Sequence, residues 1–383
     1  MKHNFRIIIG VLALAIPLCL NAQVKPVKPE PKKGEPEKIE KPEPVKGKPE
    51  MMAPEKKGGP RADNDKAPKI SGFVQGLAQM NLADAKITSN TFSARRVRMS
   101  IDGNLAKGLT YKIQGDFVRK PMLVDVFLKY KVCDAFAIQA GQFKTPFSLE
   151  SPINPVNLEI FDYGEGIQKL VGYNEVCGVG ALGRDLGIMA TGNLFKPEGK
   201  DFSIVNYAIG VFNGNGPNEK DNNNRKDFVG RIEIHPMLKA LTLSGSYYYG
   251  FYDTDNIHNG TRQRWAAGAQ YNDDDIVFRA EYLSGTTGFS TNTDIMMYSN
   301  GYYAVAGYNF RLGKNNQQKL MPVVRYEHFA QDKNLDKGGT NWYTVGLNYW
   351  PLKSVNFKID YSLIQPESGD NSHRVVGILS YKF

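Results

Sequence analysis

Between residues 70 and 383 apolar and polar residues alternate in stretches of roughly ten. In "VNFKIDYSL", Val355, Phe357, Ile359, Tyr361 and Leu363 share one side, and Asn356, Lys358, Asp360 and Ser362 share the other. In "IVFRAEYL", Ile276, Phe278, Ala280 and Tyr282 oppose Val277, Arg279 and Glu281. A period of two is that of a strand, whose successive side chains point to opposite faces. The pattern predicts sixteen strands, from 70–80 and 92–104, through 240–251, 262–272, 275–284 and 301–311, to 354–364 and 373–383.

The connections are sorted by length. After the even strands they are short ("LAK", "CD", "PMLK", "ND", "PLKS"). After most odd strands they are longer and polar ("NLADAKITSNT", "DTDNIHNGT", "SGTTGFSTNTDIMMYSN"), with "KP" as the short exception. Short turns at one end and long loops at the other are the mark of an outer-membrane barrel, and an even strand count brings both ends of the chain to the same side. Too many strands carry charge on one face to fill a dry interior, and sixteen strands enclose too wide a bore for side chains to close. The charged face is therefore expected to line water and the apolar face to meet lipid. The fold class is all-β: a 16-stranded antiparallel transmembrane β-barrel.

The longest connection runs from Thr145 to Arg184 and opens with "GQFKTPFSLE". Pro146 removes a ladder donor, Gly141 allows close backbone approach, and Phe143 and Phe147 can anchor the turn. The excursion mixes turn residues with Leu158, Ile160, Phe161, Leu170 and Val171. A loop with its own apolar side chains packs against something. Here it is expected to fold inward and narrow the bore.

Composition adds the surroundings. The 383 residues hold 38 Gly and 40 Tyr plus Phe, with a mean hydropathy of −0.40, which suits strands and turns. Residues 1–22 read as a signal peptide: basic "MKHNFR", an apolar run too short to span, then Ala22 for cleavage before Gln23. Leu18 before Cys19 argues against lipid attachment. Residues 23–69 are rich in Pro, Lys and Glu, cannot bury enough surface to fold, and are expected to form a disordered periplasmic segment. Residues 70–383 form the barrel. Cys133 and Cys177 are not a disulfide framework. The five His show no metal spacing, no catalytic elbow or triad stands out, and no cofactor, metal, enzyme activity or nucleic-acid partner is expected. The Asp/Asn-rich loop Asn218 to Asp227 lacks the full calcium pattern and reads as solvated.

Inward phase assigns Arg96, Arg98, Lys112, Lys129, Lys131, Arg231, Arg264, Arg279 and Arg325 to the lumen, and Asp102, Asp116, Asp125, Glu233, Glu281, Glu327 and Asp360 with them. Many alternate along one strand, as in "RIE", "RAE" and "RYE", and read as paired charges. The candidate constriction loop carries Lys144, Lys169 and Arg184 against Glu159, Asp162, Glu165 and Glu175, with Glu150 a further acid. Of the +9 formal charge, +2 lies in the signal and +4 in residues 23–69, which leaves +3 for the barrel, a weak field for strong anion selectivity. The last strand, "RVVGILSYKF", ends with Tyr381 and Phe383 in phase, like the assembly signal of outer-membrane barrels.

Four stretches, "RRVRMSIDG", "GQFKTPFSLE", "GRDLGIMATG" and "YAIGVFNGNG", resemble the phosphate-selective porin O and P family in their order, over residues 70–383. The resemblance implies a sixteen-stranded, usually trimeric barrel with an inward-folded third loop. It also implies an anion route along arginines towards lysines at the constriction. The acidic loop of this chain departs from that lysine-rich pattern. The expected function is passive, charge-biased diffusion of small polar solutes or inorganic anions, phosphate among them. The expected partners are the lipid bilayer with lipopolysaccharide, the barrel-assembly machinery and two further copies in a homotrimer. The alternative is a structural barrel anchoring the Pro-rich segment to the cell wall.

Overall fold

The computed structural model describes residues 67–83, 86–180, 182–289, 295–313 and 316–383. The signal peptide with its Ala22/Gln23 cleavage site, and nearly all of the Pro-rich segment, lie outside the described residues.

All strands belong to one antiparallel sheet. Ile295–Tyr308 and Phe310–Leu312 are one strand interrupted at Asn309, since both pair with Gln318–Ala330. The count is therefore sixteen. The sheet closes on itself: Lys69–Ala83 pairs with the last strand, Ser372–Lys382, in the register Val74↔Tyr381. Gly72 and Phe383 seal the seam by exchanging both backbone hydrogen bonds, at 3.0 and 3.1 Å.

The strand faces show which solvent each side was built for. Along Val355–Pro366, Phe357, Ile359 and Tyr361 are 48%, 56% and 42% exposed, while Asn356, Lys358, Asp360 and Ser362 are 4% or less. A soluble barrel would do the reverse. An apolar band that faces outward all round belongs in lipid. Tyr381 and Phe383 stack on that outer wall beside the seam, 6.2 Å apart.

Two expectations need correction. Most of the long loops are strand. "NLADAKITSNT" belongs largely to Lys69–Ala83 and Lys86–Ala106, "DTDNIHNGT" to Leu241–Thr254 and Ile257–Asn272, and "SGTTGFSTNTDIMMYSN" to Ile276–Phe289 and Ile295–Tyr308. These hairpins stay paired beyond the alternating stretches, to Ala83 with Lys86, Thr254 with Ile257 and Phe289 with Ile295, and there apolar and polar residues no longer keep to separate faces. Conversely, the expected two-residue "KP" turn spans 117–122, between Leu109–Asp116 and Leu123–Cys133. The second correction concerns the lumen, which is not lined by charge and water throughout. Leu283, Val305, Met321, Val323 and Phe329 point inward and are buried against the long loop.

Candidate functional site: a loop latched across the lumen

The connection between Phe136–Lys144 and Arg184–Leu194 folds into the barrel. Pairing along the first of these strands ends at Lys144, just before Pro146. Phe143 stays in the wall, edge-on to Phe127 and Phe212, and Phe147 turns inward onto Tyr248. Ser148 has a positive φ of 72°, a strained conformation for a non-glycine residue. Its hydroxyl donates to Glu281 (2.8 Å) and accepts from the Glu150 and Ser151 amides, which holds the turn.

Inside, a 3-10 turn, Pro155–Asn157, and a short helix, Glu165–Leu170, carry the apolar residues. Six residues do not make a stable helix alone. Packing holds this one: Ile167 and Leu170 are fully buried among Leu283, Tyr303 and Phe329. Gly164 caps it at a close approach to the wall, where a Cβ would collide with the Arg325 guanidinium.

The rest of the attachment is ionic. Glu150 meets Arg325 at 2.7 Å and Arg279 at 3.5 Å. Glu159 meets Arg279 at 2.7 Å. Asp162 meets Arg95 at 2.9 Å and Arg96 at 3.6 Å. Glu175 meets Arg262 at 2.6 Å and also pairs with Arg264. Four loop carboxylates are thus held by six wall arginines. Wall groups also bind the loop backbone. Lys358 donates to the carbonyls of Leu158 (2.6 Å) and Ile160 (2.9 Å), Arg264 to that of Leu170 (2.8 Å), and Arg231 to that of Ser148 (3.0 Å). Glu327 accepts from the Glu165 amide. These partners come from six strands, running from Asp227–Ile234 through the seam to Lys86–Ala106, so the loop is tied at many points along that arc of the wall.

The electrostatics follow from the pairing. Burial alone would raise the Glu159 carboxyl, but Arg279 outweighs it and holds the group below the ordinary carboxylate range. Asp162 is likewise held low, against burial, by Arg95 and Arg96. Burial pushes the Tyr163 hydroxyl and the Cys177 thiol up.

The residues picked from the sequence fall into three groups. Arg96, Arg264, Arg279 and Arg325, with Glu159, Asp162 and Glu175, fasten the loop. Arg231 divides between Glu233 (3.2 Å) and the loop backbone. Arg98, Lys112, Lys129 and Lys131 stand on the wall away from the latch. Arg98 pairs with Asp116 at 2.9 Å, Lys112 with Asp102 at 3.3 Å, and Lys131 with Asp134 at 2.5 Å in the adjoining turn. Lys129 has no ion-pair partner among the described residues. Glu165 and Lys169 face each other along the helix, 3.8 Å apart. Lys144 is half-buried, its ammonium donating to the Ser151 and Ile153 carbonyls at 2.5 and 3.1 Å and to the Tyr163 hydroxyl at 3.0 Å. Arg184 grips Asp125 at 2.8 Å.

Several participants were missed. Arg262 and Lys358 lie in phase with inward residues already chosen, so the alternation could have found them. Arg95 could not be found that way, because its phase is outward. A β-bulge explains it: Gln75 pairs with Arg96 and Gly76 with Ala94, which leaves Arg95 as the extra residue. The bulge turns both Arg95 and Arg96 onto Asp162.

Among the described residues, cavities lie beside the latch, two of them next to Pro152. One, of about 270 Å³, lies between Arg98, Lys112, Gln114, Asp125 and Arg184 on the wall and Pro152 and Asn154 on the loop. The other, of about 580 Å³, begins on the far side of Pro152 and is bordered by Asn206, Glu233, His235 and Lys196. Both lie where the latch is absent.

The family model for phosphate-selective porin O and P matches residues 70–286. Solved porins share the fold. The anion-selective porin from Comamonas acidovorans superposes with a TM-score of 0.61 at 11% identity, covering 83% of this chain and 100% of that one. OmpF of Salmonella typhi, in complex with daunomycin, gives 0.59 at 13% identity, over 84% and 99%. The trimer form of in-vitro folded OmpT, an outer membrane protein of Vibrio cholerae, gives 0.57 at 11%, over 83% and 100%. No curated protein matches the chain.

Proposed function

This chain belongs to the phosphate-selective porin O and P family, and from that premise we propose that it is a passive outer-membrane channel with a mild anion bias. It passes small polar solutes and inorganic anions, phosphate among them, along the wall that carries Arg98, Lys112, Lys129 and Lys131. The observation that carries this reading is the division of labour among the wall cations. Most of the arginines are consumed in latching the loop. Lys112, beside the smaller cavity, and Lys131 are left near water, interleaved with Asp102, Asp125 and Asp134. Mixed charge of this kind biases diffusion without imposing strict selection.

The short turns and both chain ends then face the periplasm, where cleavage after Ala22 leaves residues 23–69 as a tail. The outer apolar band meets the bilayer with its lipopolysaccharide. Tyr381 and Phe383, presented on the outer wall at the seam, suit recognition by the barrel-assembly machinery. The working unit is a homotrimer, in keeping with the trimer form of the Vibrio cholerae neighbour.

The test is the reversal potential of the purified protein in a planar bilayer under a KCl gradient, with and without phosphate. A modest chloride preference that phosphate reduces is expected. A clear potassium preference would overturn the anion bias, and absence of conductance would overturn the channel.

A further inference from the structure

We propose that Asp125 sets the selectivity of this channel, as the one carboxylate among the described residues that line its smaller cavity and the brake on its anion preference. The inference rests on the channel reading above and adds to it a specificity-determining residue.

The argument is a charge inventory of the cavity beside Pro152. Four cations line it: Arg98, Lys112, Lys144 and Arg184. Among the described residues Asp125 is the only acid that does so. The acids that neutralise the other cations stand elsewhere. Asp116, the partner of Arg98, is fully buried and outside the lining. Asp102, the partner of Lys112, lies at 3.3 Å from it and is also outside the lining. Lys144 is held by two carbonyls and a tyrosine hydroxyl, which satisfy its hydrogen bonds but bring no negative charge. Lys112 and Lys144 are half-buried and Arg98 and Arg184 buried, so a permeating ion feels these cations from the lining and their acids from farther away. The exception is Arg184, whose Nε and Nη2 meet the two Asp125 oxygens at 2.8 and 3.2 Å.

That geometry makes Asp125 the group with the most leverage on the sign of the local field. A unit charge within a few ångströms of the path, in a medium between protein and water, changes the local ion population by a factor of about three to ten. Changes on the latched side of the loop act from behind packed side chains and count for less. The position is visible in the register: Asp125 opposes Gln114, another lining residue, in the neighbouring strand Leu109–Asp116.

The experiment is reversal potential under a KCl gradient for the full-length protein, wild type against Asp125→Asn and Arg184→Gln. Asp125→Asn keeps an oxygen to accept from Arg184 and loses only charge. It is expected to raise the chloride-to-potassium permeability ratio about threefold or more. Arg184→Gln leaves Asp125 unpaired and is expected to shift the ratio the other way. The opposite signs protect the test from a simple packing defect: a loosened loop would move both variants alike. If Asp125→Asn does not assemble into a conducting barrel, the Arg184→Gln shift towards potassium decides alone. Unchanged ratios, or shifts of the same sign, would overturn the role of Asp125 while leaving the channel intact. A wild type that carries no current would overturn the channel reading, and this inference with it.

Discussion

Arg279 and Glu159 meet at 2.7 Å inside the lumen, though 120 positions separate them in the chain. Arg279 is fully buried and reaches Glu150 as well, at 3.5 Å. Removing one partner of a buried pair leaves the other uncompensated, at about 3–5 kcal/mol. Arg279→Met strands Glu159 and leaves Glu150 to Arg325 alone. The barrel itself is held by its ladder and stays closed, so the cost falls on the loop. The expected outcome is a larger and noisier single-channel conductance with an unchanged heat-unfolding temperature of the barrel. Adding Glu159→Gln to Arg279→Met is expected to quieten the channel part of the way, since the stranded charge is then gone.

The bulge at Arg95 makes a sharper test of the architecture. On an uninterrupted strand Arg95 would face lipid, and replacing it by Ala would remove a costly charge from the membrane band. With the bulge, Arg95 donates to Gln75 at 2.9 Å, pairs with Asp162 and covers the Phe161 ring at 4.7 Å. Arg95→Ala and Arg96→Ala are therefore expected to act alike, each loosening the Asp162 arm of the latch. Current fluctuations recorded at fixed voltage check this. A silent Arg95→Ala beside a noisy Arg96→Ala would mean that the bulge is absent.

Acid acts on the same latch. Glu159 and Asp162 lie outside the strands, and their arginine partners hold both carboxyls below the ordinary range against the opposing effect of burial. A group whose pKa is lowered on folding stabilises the folded state fully above its unfolded value, here about 4. That contribution is lost as pH falls through the lowered folded value. The conductance is expected to stay flat from about pH 8 to about pH 5, and to become larger or noisier only once the pH falls below the unfolded carboxylate value of about 4, reversibly. A transition centred near neutrality would point to a different titrating group.

Much of this molecule is legible in its sequence, for a physical reason. A strand with lipid on one side and a polar lumen on the other must alternate, so Phe357 and Lys358 announce their faces. The loop announces itself too, through Pro146 and its apolar content. What the pattern hides is where two environments become one. Around Thr286 and Thr287 two polar residues follow one another although Thr287 is fully buried, so the alternation fails and the strand reads as loop. Inside, where the loop packs on the wall, Val305 and Val323 are apolar on the face expected to be charged. Phase arguments also carry no account of a bulge, which is why Arg95 was lost. Nor do they say whom a charge will meet: Arg279 alternates with Glu281 in the sequence but pairs with the loop.

Gly141 and Gly76 both sit in strands, and their backbones predict opposite responses to a methyl group. Gly141 has φ +131°, and a Cβ there would collide with the Val126 carbonyl and come within 2.7 Å of the Phe127 Cα. Both obstacles are backbone of the neighbouring strand, which cannot rotate away. Gly141→Ala thus combines a disfavoured conformation with a clash in the ladder, at a cost well above ~1 kcal/mol. At Gly76, on the outer wall beside the bulge, a Cβ meets nothing within 4 Å. Gly76→Ala should change stability by no more than about 0.5 kcal/mol. Heat-modified mobility of the two variants on gels separates them: Gly141→Ala is expected to unfold at a lower temperature than wild type, and Gly76→Ala at the wild-type temperature. Equal behaviour of the two would mean that the strand leading into the loop does not approach its neighbour as closely as Gly141 requires. The entry of the loop into the lumen would then need another explanation.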